Sequence, residues 1–153
     1  MNFTDATTED IPALAELLTL LFAQEADFSP DPARQQEGLR LIITQPEVGR
    51  ILVARRDARI VAMVNLLFTV STAMGGRAAI LEDMIVTPEE RGRGTGAELL
   101  QHAVRTARDC GCLRITLLTD RNNIQAQAFY RRHGFTPSAM IPLRLDLTLT
   151  PPK

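Results

Sequence analysis

The residues best suited to chemistry in this sequence form a glycine-rich segment in the second half of the chain. Residues 91–96 read Arg-Gly-Arg-Gly-Thr-Gly, between an apolar stretch that ends at Val86 and a helical pattern. Glycine lets the backbone turn tightly and bring its N–H groups close to a ligand. The unpaired N–H groups and the dipole of a helix start then favour an anion. The segment therefore predicts a phosphate-binding loop.

Several kinds of phosphate compound remain open at this point. An NTP-binding loop is disfavoured because the pattern GxxxxGK[ST] is absent. A dinucleotide site is a rival, since Gly92-x-Gly94-x-x-Ala97 fits the relaxed GxGxxA pattern and Asp120 ends the next predicted strand. Against it, Val86 lies too far before Gly92, and the chain has no room for a separate substrate domain. A glycine-rich turn that binds nothing is the simplest alternative.

Two adjacent carboxylates, Glu82 and Asp83, precede this loop within an apolar strand pattern. Charged neighbours in such a strand are costly unless they are paired or reach water. Successive strand side chains point to opposite faces, so only one of the two is expected to face a given pocket. A functional acid and a structural salt bridge both remain open. The single tyrosine, Tyr130, lies on a helical pattern that also fits an ordinary buried face.

Composition limits the class of protein. The chain has 153 residues, 45% hydrophobic and 23% charged, which suits one globular domain spanning residues 1–153. A formal net charge of −1 gives no basic field for nucleic acid or an anionic membrane. Arg34 is the first basic residue, so we expect no targeting peptide and a cytoplasmic protein. His102 and His133 lack ligand-like spacing, and Cys110 and Cys112 imply no disulfide, so no metal site is predicted.

The elements that must position these residues follow from apolar periodicity and turn signals. The closing strand is predicted from leucines at alternate positions near the carboxyl end. The order βααβββαβαβ indicates an α/β (α+β) fold, a mixed central sheet flanked by helices. The predicted elements are strand 1–4, a helix from Thr7 or Thr8, a helix opened by Asp31-Pro32 and stopped near Pro46, strands 51–55, 60–70 and 79–86 with a tight turn at 57–59, helix 94–109, strand 113–118, helix 123–133 and strand 140–149.

Two motifs in this order resemble the GNAT superfamily of acyl-CoA N-acyltransferases. The first resembles that family's acyl-CoA loop, and the second its N…A…FY…GF segment. Together they cover residues 81–135, about a third of the chain. The motifs are Val86-x-Pro88-x-x-Arg91-Gly92-x-Gly94-x-Gly96, and Asn123, Ala126, Phe129-Tyr130 and Gly134-Phe135.

The resemblance implies direct transfer of an acetyl group from acetyl-CoA to an amine, without a metal. It implies Glu82 as the base, Asp83 as a second acidic contact for the ammonium group, and Tyr130 as the acid for the departing thiolate. A backbone N–H near Met84 or Ile85 would hold the oxyanion. An N-terminal helix cap is the alternative role for Asn123. The residues that the resemblance assigns to acetyl-CoA are Met84, Ile85, Val86, Arg91, Gly92, Arg93, Gly94, Thr95, Gly96, Asn123 and Tyr130.

The acceptor is not encoded in either motif. Segments 22–32, 70–77 and 136–142 are expected to frame it. Six acidic residues favour a cationic acceptor such as a polyamine or an amino sugar, with surface solubility as their other explanation and peptide amines left open. A non-catalytic acyl-CoA-binding or sensing module is the alternative from another class. A homodimer is also compatible with the resemblance, with the closing strand as an edge. The acidic residues are Glu25, Asp27, Asp31, Glu82, Asp83 and Asp120.

Overall fold

The computed structural model describes residues 1–25 and 28–149. The chain divides into two compact units, Met1–Asp120 and Arg121–Lys153. The single domain expected from the sequence stays a prediction. Asp27, one of the acidic residues considered above, lies outside the described residues.

The first unit is built on a five-stranded mixed sheet. Its strands lie in the spatial order β1-β2-β3-β4-β5. The first four strands pair antiparallel, and β5 pairs parallel to β4. The mixed sheet predicted from the sequence is therefore confirmed. The strands are β1 (Asn2–Asp5), β2 (Gly49–Arg56), β3 (Arg59–Ser71), β4 (Gly76–Val86) and β5 (Ile115–Leu117).

A two-residue turn joins β2 to β3. Asp57 and Ala58 both have positive φ, 50° and 66°. This backbone twist matches that of the flanking strands. The turn sets Arg56 opposite Arg59, so the tight turn predicted at residues 57–59 is confirmed.

Helices cover both faces of the sheet. Alternate residues of β2 belong to a core cluster with α1 (Ile11–Phe22) and α2 (Pro32–Ile43). The intervening residues Leu52 and Ala54 are also fully buried. Because strand side chains alternate, this second face needs its own cover. The helix α3 (Thr95–Asp109) contacts β2, β3 and β4 and buries Leu99, Leu100 and Ala103.

The second unit contains one helix, α4 (Ile124–Arg132), among its described residues. The strand predicted at residues 140–149 is wrong: no strand is assigned there, and Leu143 is 90% exposed. Alternating leucines define an apolar face, but a strand also needs a neighbouring strand for its backbone N–H and C=O groups. No second strand exists in residues 121–149, and Pro142 lacks an N–H.

None of the described helices is long and apolar enough to cross a membrane.

Candidate active site

The glycine-rich loop leads from β4 into α3. Gly92 and Gly94 have φ of 74° and 86°, a conformation that costs glycine little. A Cβ added at Gly94 would approach only the Glu98 carboxylate, at 3.9 Å, and one at Gly92 would meet nothing within 4 Å. The first helical bond runs from the Glu98 N–H to the Gly94 carbonyl, 3.0 Å. The N–H groups of residues 95–97 therefore precede the helical ladder, beside open space where an anion fits.

Side chains brace this loop from behind. The carboxylate of Glu90, 4% exposed, accepts two hydrogen bonds from Arg56 of β2, at 2.8 and 3.0 Å. These bonds hold the pKa of Glu90 below its usual value. The hydroxyl of Thr95 donates to the same carboxylate at 3.4 Å. The pair between Arg56 and Glu90 was not predicted from the sequence. The signal for it is an acidic residue just before a predicted anion-binding loop, because its negative charge would repel the anion unless a cation from elsewhere in the chain neutralised it.

The two arginines of the loop are exposed. The Nε–H of Arg91 donates to the carbonyl of Val86 at 3.0 Å and so ties the loop to the end of β4. Arg93 acts on Glu90 through its charge, which helps to lower the Glu90 pKa. Gly96 lies in the first turn of α3. Contact of either arginine with a phosphate stays a prediction.

The strand β4 continues beyond its neighbour β5. Pairing between them covers only residues 79–81 of β4 and 115–117 of β5. Among the described strands, residues 82–86 of β4 therefore pair on the β3 side alone. This stretch contains Met84, Ile85 and Val86, whose backbone the sequence analysis assigned to the acyl group and cofactor. Its free edge can offer N–H donors to a substrate.

A β-bulge interrupts β4 next to this edge. Asn65 faces Glu82 and Met63 faces Ile85, so Asp83 and Met84 together oppose one residue of β3. Asp83 has φ of 52°, a left-handed conformation that aspartate adopts more readily than most residues. The strict alternation assumed for Glu82 and Asp83 therefore does not hold at this point.

Glu82 and Asp83, the two acids at the bulge, differ in their surroundings. Asp83 lines a cavity of about 310 Å³ bounded by α1, α2 and β3, whereas Glu82 is exposed and does not line it. The side-chain amide of Asn65 donates to Asp83 Oδ2 at 2.7 Å. Asn65 is 2% exposed, and its Oδ1 has no hydrogen-bond partner among the described residues.

The environment of Asp83 changes its acidity. Burial, together with the charges of Glu82 and Glu25, raises the pKa of Asp83 to about 7, against the opposing effect of the Asn65 hydrogen bond. A carboxylate with this pKa exchanges its proton near neutral pH, as a general base must. The pKa and the position in the cavity both single out Asp83.

The remaining predicted site residues lie in the second unit. The ring of Tyr130 contacts Phe129 and Phe135 edge to face, with ring centres 5.2 and 5.6 Å apart. Burial raises the pKa of Tyr130 to about 12, so its phenol is protonated at neutral pH. Asn123 caps α4, because its Oδ1 accepts the N–H of Ala126 at 3.1 Å. This is the alternative role considered for Asn123 in the sequence analysis.

No group of three or more His, Cys, Asp or Glu side chains within residues 1–25 and 28–149 is arranged to hold a metal ion.

The loop and the strand edge lie within a stretch of sequence that matches a family model. The model described as the acetyltransferase (GNAT) family matches residues 12–135. The chain belongs to the GNAT family of acetyltransferases. It is thus an enzyme of the class that transfers acetyl groups from acetyl-CoA, as the two motifs indicated.

Similar proteins agree with this assignment. An uncharacterized N-acetyltransferase of Bacillus subtilis is 29% identical over 137 residues, 88% of this chain and 89% of that protein. The aminoalkylphosphonate N-acetyltransferase of Salmonella typhimurium is 28% identical over 133 residues, covering 87% of this chain and 83% of that protein. A solved structure of a predicted acetyltransferase with acetyl-CoA from Clostridium acetobutylicum has a TM-score of 0.77 at 19% identity, covering 96% of each chain.

Proposed function

We propose that this GNAT acetyltransferase moves the acetyl group of acetyl-CoA directly onto the primary amine of a small molecule, with Asp83 as the base. The observation that carries the proposal is the Asp83 carboxylate in a cavity of about 310 Å³. Such a volume equals that of about ten water molecules in the liquid, at about 30 Å³ each. That capacity favours a small molecule, which includes the polyamines and amino sugars expected from the sequence.

The proposal ranks Asp83 above Glu82 as the base. Asp83 lines the cavity and its pKa is about 7, while Glu82 is exposed. An amine arrives protonated at neutral pH and cannot attack until it loses a proton. Ionised Asp83 accepts that proton, and Asn65 orients the carboxylate through its 2.7 Å hydrogen bond. Glu82 then contributes negative charge that attracts the ammonium group.

The other groups in the reaction are those named from the sequence. Once deprotonated, the amine nitrogen attacks the acetyl carbon, and the carbonyl oxygen gains negative charge. A backbone N–H of Met84 or Ile85 donates to that oxygen. The carbon–sulfur bond breaks, and the phenol of Tyr130 gives its proton to the departing thiolate. The nitrogen then releases its second proton to solvent, and solvent returns one proton to Tyr130. Overall, an ammonium and a thioester become an amide, a thiol and one proton, which leaves through Asp83.

The first part of the decisive experiment is binding. We expect acetyl-CoA to raise the melting temperature of the protein, and NAD to do so far less. A ligand that binds only the native state stabilises it by about 2.7 kcal/mol at a hundredfold excess over its Kd. A shift with NAD and none with acetyl-CoA would assign the loop to a dinucleotide.

The second part is turnover. We expect free thiol to be released from acetyl-CoA when small primary amines are added, with the acetylated amine detected by mass spectrometry. Binding of acetyl-CoA without thiol release for any amine would instead favour the non-catalytic acyl-CoA-binding module. The two measurements together separate the three functions.

A further inference from the structure

The cavity beside Asp83 has both apolar and polar lining residues. Five apolar side chains line it, and so do Asn65 and Asp83, which lie together because of their hydrogen bond. The charges of Glu82 and Glu25 also act on Asp83, so the surroundings of Asp83 are negative. The apolar side chains are Leu18, Phe22, Phe28, Leu39 and Ile42.

A buried amide in the wall, that of Gln35, is already satisfied by the protein. Its Nε2 donates to the carbonyl of Ala15 at 2.9 Å and to the hydroxyl of Thr19 at 3.0 Å. Its Oε1 accepts the backbone N–H of Asp31 at 2.7 Å. Gln35 therefore joins α1 to α2 and has little capacity for a ligand.

Two charged residues that also line the cavity, Asp31 and Arg34, pair with each other. Asp31 accepts the backbone N–H of Arg34 at 3.2 Å and pairs with its guanidinium at 3.4 Å. The Arg34 side chain is 86% exposed, and Ser29 is exposed too. Because Asp31 and Arg34 offset each other's charge, Asp83 is the lining residue whose negative charge has no cation partner among the described residues.

Gly38 leaves space in this wall. It lies within α2, where glycine destabilises a helix relative to alanine. Its φ is not positive, and a Cβ placed there would meet nothing within 4 Å. Neither the backbone nor the packing requires glycine at this position. Gly38 is exposed and lines the cavity, so a larger side chain there would take up open space beside it.

We infer that the acceptor is a primary amine carried by a compact apolar body, seated with its nitrogen at Asp83 and its carbon atoms between α1 and α2, and that Gly38 makes room for that body. The inference rests on the proposed function and narrows it. A second ammonium group or a set of ring hydroxyls would either lie against the apolar side chains or compete with the pair between Asp31 and Arg34, and both are unfavourable. The inference therefore replaces the polyamine or amino sugar favoured by the sequence.

Matched pairs of acceptors test the substrate class. The pairs are pentylamine with 1,5-diaminopentane, cyclohexylamine with glucosamine, and propylamine with 2-aminoethylphosphonate. We expect kcat/KM, measured by thiol release at saturating acetyl-CoA, to be at least tenfold higher for the apolar member of each pair. A preference for the diamine, the sugar or the phosphonate overturns the inference while the proposed function stands. Thiol release with none of the six amines removes the proposed function itself.

Substitutions in α2 test the role of Gly38. Gly38→Leu fills the cavity, and we expect it to raise KM for cyclohexylamine at least tenfold, with the acetyl-CoA-induced melting shift unchanged. Gln36→Leu adds the same side chain at an exposed position of α2 that does not line the cavity, and should leave KM unchanged. Equal KM values for both variants and the wild type would overturn the role of Gly38.

A smaller change keeps the test valid if Gly38→Leu does not fold. Gly38→Ala adds one methyl group and should raise the melting temperature through helix propensity. We expect it to raise KM for cyclohexylmethylamine more than for ethylamine, because only the larger amine needs the space. A size-independent effect would contradict the inference.

Discussion

Gly94 and Asp83 both have a left-handed backbone conformation and lie in one strand–loop–helix segment, but they would contact a ligand in opposite ways. At Gly94, φ is 86° and no side chain is present, so the backbone faces open space at the start of α3. At Asp83, φ is 52° and a carboxylate projects into the cavity lined by α1 and α2. In the proposed function, the loop offers N–H donors to an anion, and the bulge offers an acceptor to a cation.

The two regions also differ in how much their backbone conformation destabilises the fold. Glycine accepts left-handed backbone freely, whereas another residue pays about 1–2 kcal/mol for it. Asp83 bears this strain and is also partly buried, which raises its pKa to about 7. Strain and burial at one carboxylate are typical of a residue kept for function. The comparison therefore predicts that the bulge is sensitive to side-chain chemistry and the loop to side-chain volume.

The largest expected effect is that of Asp83→Asn, which removes the base without changing the shape of the side chain. We expect kcat/KM to fall by about a hundredfold to ten-thousandfold, the range for a lost general base. Glu82→Gln should cost less than tenfold. The measurement is thiol release at saturating acetyl-CoA. A larger loss in Glu82→Gln would restore the order of the two acids expected from the sequence.

Tyr130→Phe tests the proposed proton donor to the departing thiolate. We expect kcat to fall by about a hundredfold, at the low end for a lost general acid, because thiolate leaves readily. The melting shift caused by acetyl-CoA should persist, since the ring contacts with Phe129 and Phe135 remain available. An unchanged kcat with a lower melting temperature would make Tyr130 a packing residue.

Gly94→Ala should weaken acetyl-CoA binding by about tenfold or more. Gly111 is the matched control, with φ of 80° and no atom within 4 Å of an added Cβ. Both alanine variants should lose about 1–2 kcal/mol of stability from the left-handed backbone. Isothermal titration of CoA then separates strain from ligand contact. Equal affinities in the two variants would remove the phosphate role from the loop.

Asn65→Leu should have the smallest effect on rate and a distinct pH signature. The Asn65 hydrogen bond lowers the pKa of Asp83, so its loss raises that pKa above about 7. Activity requires ionised Asp83 and rises with pH, so the midpoint of the kcat/KM profile should move to higher pH. We expect a loss of a few-fold at pH 7 that disappears well above the new midpoint. Asp83→Asn should show no such recovery.

The same substitution has a stability readout. Asn65 Oδ1 is buried without a partner, and such an atom costs about 1–3 kcal/mol. Leucine removes this atom but also removes the donor to Asp83, so the two effects oppose each other and the melting temperature of Asn65→Leu should change little. A lower melting temperature with an unshifted pH profile would give Asn65 a structural role only.

The loop could be predicted from the sequence because its properties are local. Residue type alone indicates left-handed backbone at Gly92 and Gly94, and a helix start follows within the same few residues. The turn at residues 57–59 was predictable for a similar reason. The cavity role of Asp83 was not, because the bulge depends on how β4 pairs with β3. The strand predicted at 140–149 failed likewise, since alternating leucines do not specify a partner strand.

The pair between Arg56 and Glu90 places a constraint on any attempt to graft this loop. Glu90 brings a buried negative charge close to the place where an anion is to be held, and Arg56 neutralises it from the end of β2. A chimera that received residues 88–96 alone would carry the carboxylate without its counter-ion, and the recipient loop would repel phosphate. The transferable unit is therefore discontinuous: the loop together with the β2–β3 hairpin, exchanged as one piece.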